Sequence, residues 1–370
     1  MAEIGIGASR MAWARRTGTE QYSAHLVEAL VRLETRHRLT LYFNRPLSSA
    51  PTWPGHVAVR AMPFPRLWTH LRLSWEMLRR PPDLLFVPAH VLPLVRPRRA
   101  VVTIHDLGYR FFPETHPPHK RLELHLSTLW NARVASRVIA VSRATRDDLV
   151  RHYRVPAERI RVVHHGVEAR FRPTEAPAAV ARYGLPGRYL LCLGTLQPRK
   201  NLERLLEAYA QLPPGAPPLV LAGARGWYYA RIAAAIDALG LGERVLLPGY
   251  IADADVPAVL STAMALLYPS LYEGFGLPAL EAMACGTPVV AAHTSSLPEV
   301  VGEAGLLVDP LSVGDLAAAM RRLLADEALR ADLGRRGRER ARHFTWERCA
   351  RGTLAVLQEA LEEGVATSAR

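Results

Sequence analysis

The chain has 370 residues, 49% apolar and 22% charged, which at ~100–200 residues per domain predicts two globular domains. No apolar run reaches the ~18 residues of a membrane span, and the N-terminus lacks the basic and apolar regions of a secretory signal. Three dispersed cysteines (Cys192, Cys285, Cys349) supply neither a disulfide framework nor a metal cluster, so a soluble protein of the reducing cytoplasm is expected. The net charge of +13 is unevenly spread: residues 1–172 hold 28 Lys+Arg against 13 Asp+Glu, residues 173–370 hold 19 against 21. That asymmetry points to a polyanion or an anionic membrane surface as partner of the first half. The alternative is solvated charge in an arginine-rich proteome, since Arg outnumbers Lys 45 to 2.

In chain order, Ile4–Ala8 reads as a strand, Arg16-Thr-Gly-Thr-Glu20 as a loop and Glu20–Leu33 as an amphipathic helix. Leu39–Phe43, Val57–Ala61, Leu84–Val87 and Ala100–Ile104 are short strands; the last is a continuous apolar run ending in His105-Asp106, as a buried parallel strand would. A helix over His119–Ala135, a strand over Val138–Val141, a helix over Thr145–Tyr153 capped by Ser142, and a strand over Ile160–His164 complete this half. Residues 166–187 carry three prolines and read as a linker. The alternation then restarts, with strands at Tyr189–Leu193, Leu219–Ala222, Val245–Leu247, Ala265–Tyr268 and Val289–Ala292. The intervening helices are Asn201–Leu212, Tyr229–Leu239, Val256–Thr262 and Pro278–Ala284, followed by Val313–Leu324 and Ala328–His343. The pattern predicts an α/β fold of two doubly wound, Rossmann-like parallel sheets facing a cleft: residues 1–170 form one domain, 171–350 the second, and 351–370 a last helix.

The strongest local signal is Glu273-Gly-Phe-Gly-Leu-Pro-Ala-Leu-Glu281. Pro278 suits the first turn of a helix. The amides of Gly274, Phe275 and Gly276 then lie just ahead of it, where N–H groups and the helix dipole attract a phosphate. Glu281 falls one turn into the helix, within reach of a neutral diol beside that phosphate, and Glu273 reaches the other side of the same ligand.

The longer string Pro269-Ser-Leu-Tyr-Glu-Gly-Phe-Gly-Leu-Pro-Ala-Leu-Glu-Ala-Met-Ala-Cys-Gly-Thr-Pro-Val-Val resembles the signature of the retaining glycosyltransferases of family 4, which have the GT-B fold. Gly194-Thr-Leu-Gln-Pro-Arg-Lys-Asn201 resembles that family's phosphate loop, and Thr103-Ile-His-Asp, Val141-Ser-Arg-Ala-Thr, His165-Gly-Val and Arg16-Thr-Gly fit as well. The resemblance implies hexose transfer from a nucleotide diphosphate sugar bound by the second domain to a glycan or lipid-linked acceptor on the first. Mannosyl-type members are the nearest in look. It further implies retention of configuration, no metal or other cofactor, no nucleic-acid partner, and a last helix crossing back to the first domain. Glu273 would bind donor-sugar hydroxyls and Glu281 the ribose. His105 would lie near the donor sugar, with Asp106 orienting it or touching the acceptor.

A metal-free transferase must stabilise a leaving diphosphate with fixed cations and N–H donors. Arg199 and Lys200, after Gly194, suit that task. Gly18 would let the first loop approach the diphosphate, although Glu20 stands where the family often has a second glycine. Asp253-Ala-Asp255 matches a metal-binding D-x-D string; with Pro257 following, Asp255 reads instead as a helix N-cap. A sugar-nucleotide epimerase and a non-catalytic nucleotide-sugar-binding scaffold remain as alternatives on the same fold. A nicotinamide dehydrogenase is disfavoured because no G-x-G-x-x-G follows a strand.

Basic and aromatic residues interleave from Phe64 to Trp75, and Arg79-Arg80, Arg96, Arg98, Arg99 and Arg110-Phe-Phe112 follow. Such a mixture suits a lipid headgroup region, which would place the protein peripherally on the inner membrane face. The alternative is that Trp68 and Trp75, seven apart, line one face of a core-packed helix.

Overall fold

The computed structural model describes residues 1–12, 18–47, 52–89, 91–226 and 229–366. Arg16 and Thr17 of the predicted first loop lie outside the described residues. The chain forms two compact units, Met1–Arg110 with Pro118–Gly166 and Trp346–Arg370, and Phe111–Pro117 with Val167–Thr345.

The first unit holds strands β1 (Glu3–Gly7), β2 (Arg38–Phe43), β3 (Val57–Ala61), β4 (Leu84–Val87), β5 (Ala100–Ile104), β6 (Arg137–Ala140) and β7 (Ile160–Val162), in the order β3-β2-β1-β4-β5-β6-β7 and all parallel. Its helices are α1 (Gly18–Arg32), α2 (Ser74–Arg79), α3 (Gly108–Phe111), α4 (Pro118–Val134) and α5 (Arg143–Tyr153). Strands β4, β5 and β6 are buried throughout, as expected of a sheet covered on both faces. Ser142 caps α5 as the sequence predicts, its side chain accepting from the Thr145 amide. Gly18 opens α1 instead of sitting in a loop, and a side chain there would meet no protein atom within 4 Å.

The second unit holds α6 (Pro177–Ala181), β8 (Leu190–Leu193), α7 (Leu202–Ala210), β9 (Leu219–Ala222), α8 (Tyr229–Ala238), β10 (Val245–Gly249), α9 (Val256–Thr262), β11 (Ala265–Tyr268), α10 (Leu277–Ala284), β12 (Val289–Ala292), α11 (Leu297–Val301), β13 (Leu306–Val308), α12 (Val313–Ala325) and α13 (Glu327–Ala341). The parallel sheet runs β10-β9-β8-β11-β12-β13. The predicted proline-rich linker contains α6, pinned to α9 through Asp255. That carboxylate does not cap α9: it accepts from Arg182 Nη1 at 3.1 Å and Tyr183 Oη at 2.7 Å. The short elements α11 and β13 also escape the pattern, because three to five residues carry too little periodicity.

Helix α14 (Trp346–Ala366) belongs to the first unit and packs on α1. Glu359 pairs with Arg161 of β7 and with Arg137 of β6, and Cys349, Ala350, Val356 and Leu357 enter the core around β1 and α1.

Candidate active site

In open parallel sheets ligands bind beyond the carboxyl ends of the strands, where strand order reverses. In the second unit that point lies between β8 and β11. β8 runs into Gly194 and the turn Pro198–Lys200; β11 runs into Pro269 and the loop to α10. Topology therefore delivers the two sequence motifs, about 75 residues apart, to the same sheet end.

There they form one cluster. Glu273 Oε1 accepts from Lys200 Nζ at 2.7 Å, and its Oε2 lies 2.9 Å from Arg199 Nη1. Arg199 also donates to the Tyr272 carbonyl, and Lys200 to the Tyr268 hydroxyl at 2.7 Å. Burial alone would raise the Glu273 carboxyl, but the two cations overcome it and hold the group at about 2. Burial lowers Lys200 against the opposing pull of Glu273. The sequence reading kept Arg199 and Lys200 apart from Glu273, as diphosphate and sugar binders; in the folded chain they are ion partners. A buried carboxylate with two cations keeps one excess positive charge, and it is stable only because each charge is paired and hydrogen-bonded.

Backbone geometry sets this cluster. Gly194 has φ +139°, and a Cβ would stand 3.4 Å from Lys200 Cε, so a side chain would strain the backbone and crowd the lysine stem. Gly276 has φ +103° at the head of α10, and a Cβ there would collide with Leu297 Cδ2 at 2.7 Å. Asn201 takes the left-handed conformation at φ 59° and bonds the Pro269 and Pro310 carbonyls at 3.2 and 2.6 Å, tying the two loops together. Ser295 accepts the Glu273 amide at 2.9 Å, and Ser296 donates to the Glu273 and Phe275 carbonyls, each at 2.9 Å. Of the predicted phosphate loop, Gly274 and Gly276 are buried backbone, while the Phe275 ring packs edge-on against Phe344 and anchors the loop to the core.

Glu281 lies elsewhere in the same unit. Burial raises its carboxyl to about 7; nearby Arg170 opposes this, while Glu168 and Asp253 add to it. Arg170 is engaged by Glu168 Oε1 at 2.9 Å and by the Asp253 carbonyl. Asp253 Oδ1 accepts from the Tyr250 hydroxyl at 2.7 Å. Both aspartates of the D-x-D string thus face side-chain partners, and no group of metal-ligating residues occurs among the described residues.

In the first unit, His105 follows β5. Its Nε2 lies 3.0 Å from the Pro88 carbonyl, so that nitrogen carries the proton, and burial lowers the ring below the usual histidine range. The neutral ring keeps Nδ1 as an acceptor. The His105 carbonyl accepts from Thr145 Oγ1 at 3.3 Å. Asp106 does not hold the imidazole: its Oδ1 accepts the Gly108 amide at 2.8 Å and starts α3. Tyr22 stands edge-on to His105 with ring centroids 4.6 Å apart.

Tyr268, Ser295, Ser296 and Arg170 are parts of these arrangements that the motifs do not announce. Tyr268 is locally only the end of an apolar strand, and its partner Lys200 lies 68 residues away.

Residues 183–340 match the family model "Glycosyl transferases group 1", and residues 16–171 match "Glycosyltransferase Family 4". The O-antigen chain mannosyltransferase B of Escherichia coli is 35% identical over 296 residues, covering 78% of this chain and 77% of that protein. Among solved structures, a sucrose-phosphate synthase from Thermosynechococcus elongatus superposes with a TM-score of 0.76 at 24% identity, over 98% of this chain and all of that one. Anabaena HepE in complex with UDP-glucose gives a TM-score of 0.73 at 20% identity, over 97% and 100% of the two chains. Motifs, two parallel Rossmann-like sheets and relatives agree, and the chain belongs to the group 1, family 4 glycosyltransferases of GT-B fold, enzymes that move a hexose from a nucleotide sugar.

Proposed function

We propose that the chain is a retaining mannosyltransferase that uses a nucleotide diphosphate mannose without a divalent metal and elongates a glycan or lipid-linked acceptor. The observation that carries this reading is the cluster of Arg199, Lys200 and Glu273 at the β8–β11 switch point, beside the glycine loop that opens α10. Its cations supply the charge that a leaving diphosphate requires. When the donor arrives, its phosphate oxygens share Arg199 and Lys200 with Glu273, whose carboxylate stays ionised and accepts from sugar hydroxyls. Glu281 receives the ribose diol. The acceptor attacks on the face from which the diphosphate leaves, and a departing phosphate oxygen takes the acceptor proton. Mannose as the sugar is supported by the Escherichia coli O-antigen relative. A peripheral position on an anionic, cytoplasmic membrane face belongs to the same proposal.

Incubation with a panel of nucleotide sugars, with and without EDTA, tests it. A nucleotide diphosphate mannose should be the preferred donor, its turnover should survive chelation, and proton NMR should show the product in the donor's anomeric configuration. Loss of turnover on chelation, restored by manganese, or an inverted product would refute the corresponding part. Binding of nucleotide sugar without transfer to any acceptor would favour the scaffold, and a C2-inverted free sugar the epimerase.

A further inference from the structure

The segment after β3 is built against its own sequence spacing. Trp68 and Trp75 are seven apart, which on an α-helix returns to nearly the same face. Residues Thr69–Leu73 instead form a π-helical turn, entered from Leu67 at φ 54°. A π turn spends an extra residue per turn, so the two rings part. Trp68 is buried at 8% exposure and donates to the Met62 carbonyl at 2.9 Å; Trp75 is 53% exposed. Leu73 and Met77 follow Trp68 into the core, while Leu71 and Leu78, at 50% and 62% exposure, flank Trp75 outside. The Val95 amide donates to Ser74 Oγ at 3.2 Å, which sets exposed Leu94 and Val95 beside this helix.

The apolar face stands in a one-signed field. Residues 60–99 hold eight arginines and two acids. Of those acids, Glu76 is buried between Arg60 and Arg72, at 2.7 and 3.1 Å, and Asp83 accepts the Glu3 amide at 2.7 Å. Arg66, Arg79, Arg80 and Arg98 are exposed with no carboxylate partner among the described residues, and Arg79 lies over the Trp75 ring at 5.6 Å. A soluble surface seldom sets a Trp and several Leu out together, and an apolar ridge rimmed by unpaired arginines complements lipid that is apolar inside and anionic outside.

We propose that the face formed by Leu71, Trp75 and Leu78, with Leu94 and Val95 beside them, docks this unit on an anionic bilayer, the ridge entering the headgroup region and the arginines meeting lipid phosphates. No helix among the described residues is long and apolar enough to cross a membrane, so the attachment is interfacial. This specifies the membrane part of the proposed function and is independent of the donor chemistry, so donor hydrolysis in the absence of lipid is measured in parallel.

The test is flotation of the full chain with phosphatidylglycerol-containing or pure phosphatidylcholine vesicles. Binding should require the anionic lipid and weaken with salt. Arg79→Glu and Arg80→Glu should each reduce it roughly fivefold or more, and Leu71→Glu with Leu78→Glu should abolish it while lipid-free donor hydrolysis continues. Trp75→Phe, a mild change, should still float but lose the blue shift of tryptophan emission that the wild type shows on anionic vesicles. Three results would overturn the proposal: no flotation at low salt, an emission shift unaltered in Trp75→Phe, or a dimer in sedimentation that the ridge substitutions break, which would make a second copy the occupant.

Discussion

Glu273 and Glu281 are eight residues apart on one loop and helix, and burial pushes both carboxyls upward. Glu273 nevertheless sits at about 2 and Glu281 at about 7. The difference lies in the company: two cations within hydrogen-bond reach of Glu273, against one arginine shared with Glu168 and Asp253 around Glu281. One carboxylate is a fixed charge across the physiological range. The other is raised to about 7, close enough to neutrality for a change in its surroundings to shift its protonation. Residue type and even motif membership therefore do not set chemical role; neighbours brought in by the fold do.

The comparison can be broken most severely at Glu273. Glu273→Gln should lower transfer by roughly 10³-fold, because in the proposed site it removes a charged contact to the reacting sugar. Nucleotide affinity should hold, since the diphosphate can take over Arg199 and Lys200. Single-turnover rates and calorimetry separate the two, and a parallel collapse of affinity would show that Glu273 serves only to build the nucleotide site. Arg199→Ala should slow transfer by roughly 10²–10³-fold, as for loss of one donor to a developing anion. A variant at full rate would remove Arg199 from the chemistry.

Glu281 should respond in binding. Glu281→Ala should weaken nucleotide affinity by about 1.5–3 kcal/mol through lost charge-assisted hydrogen bonds, and unchanged calorimetry would detach it from the ribose. The smallest effect is the most specific. A carboxyl near 7 is mostly protonated at about pH 6 and ionised at about pH 8, and only the ionised form accepts from both diol hydroxyls. Affinity for an intact nucleotide sugar, whose esterified diphosphate does not titrate in this range, should thus rise about tenfold across that interval. In Glu281→Gln the curve should be flat. A wild-type curve already flat would place the carboxyl elsewhere on the scale. Glu273, ionised above about 2, contributes no slope there.

Much of the fold was legible because its signals are local. Leu84–Val87, Ala100–Ile104, Leu219–Ala222, Ala265–Tyr268 and Val289–Ala292 are buried, nearly continuous apolar runs whose bounds coincide with strands, as expected of strands covered on both faces. The glycine loop and α10 were legible for the same reason: Gly276 and Pro278 encode their backbone directly. The D-x-D string was half legible. Asp255 holds the N-cap position, but Arg182 and Tyr183, on and beside a helix hidden in proline-rich sequence, claim its carboxylate.

By itself, then, the sequence determined the alternation of strands and helices, the two parallel sheets and the glycine-rich backbone of the loop before α10, all consequences of hydrophobic period and backbone preference within a dozen residues. Tertiary structure alone decided that Glu273 pairs with both Arg199 and Lys200, that Tyr268 holds the lysine, that burial raises Glu281 to about 7, and that Trp75 faces outward while Trp68 faces in. Charge pairing and desolvation depend on atoms a few ångströms apart in space. A single π turn, which no side-chain pattern encodes, offsets the helical register by about one residue, or ~100°, enough to part Trp75 from the buried side that Trp68 occupies.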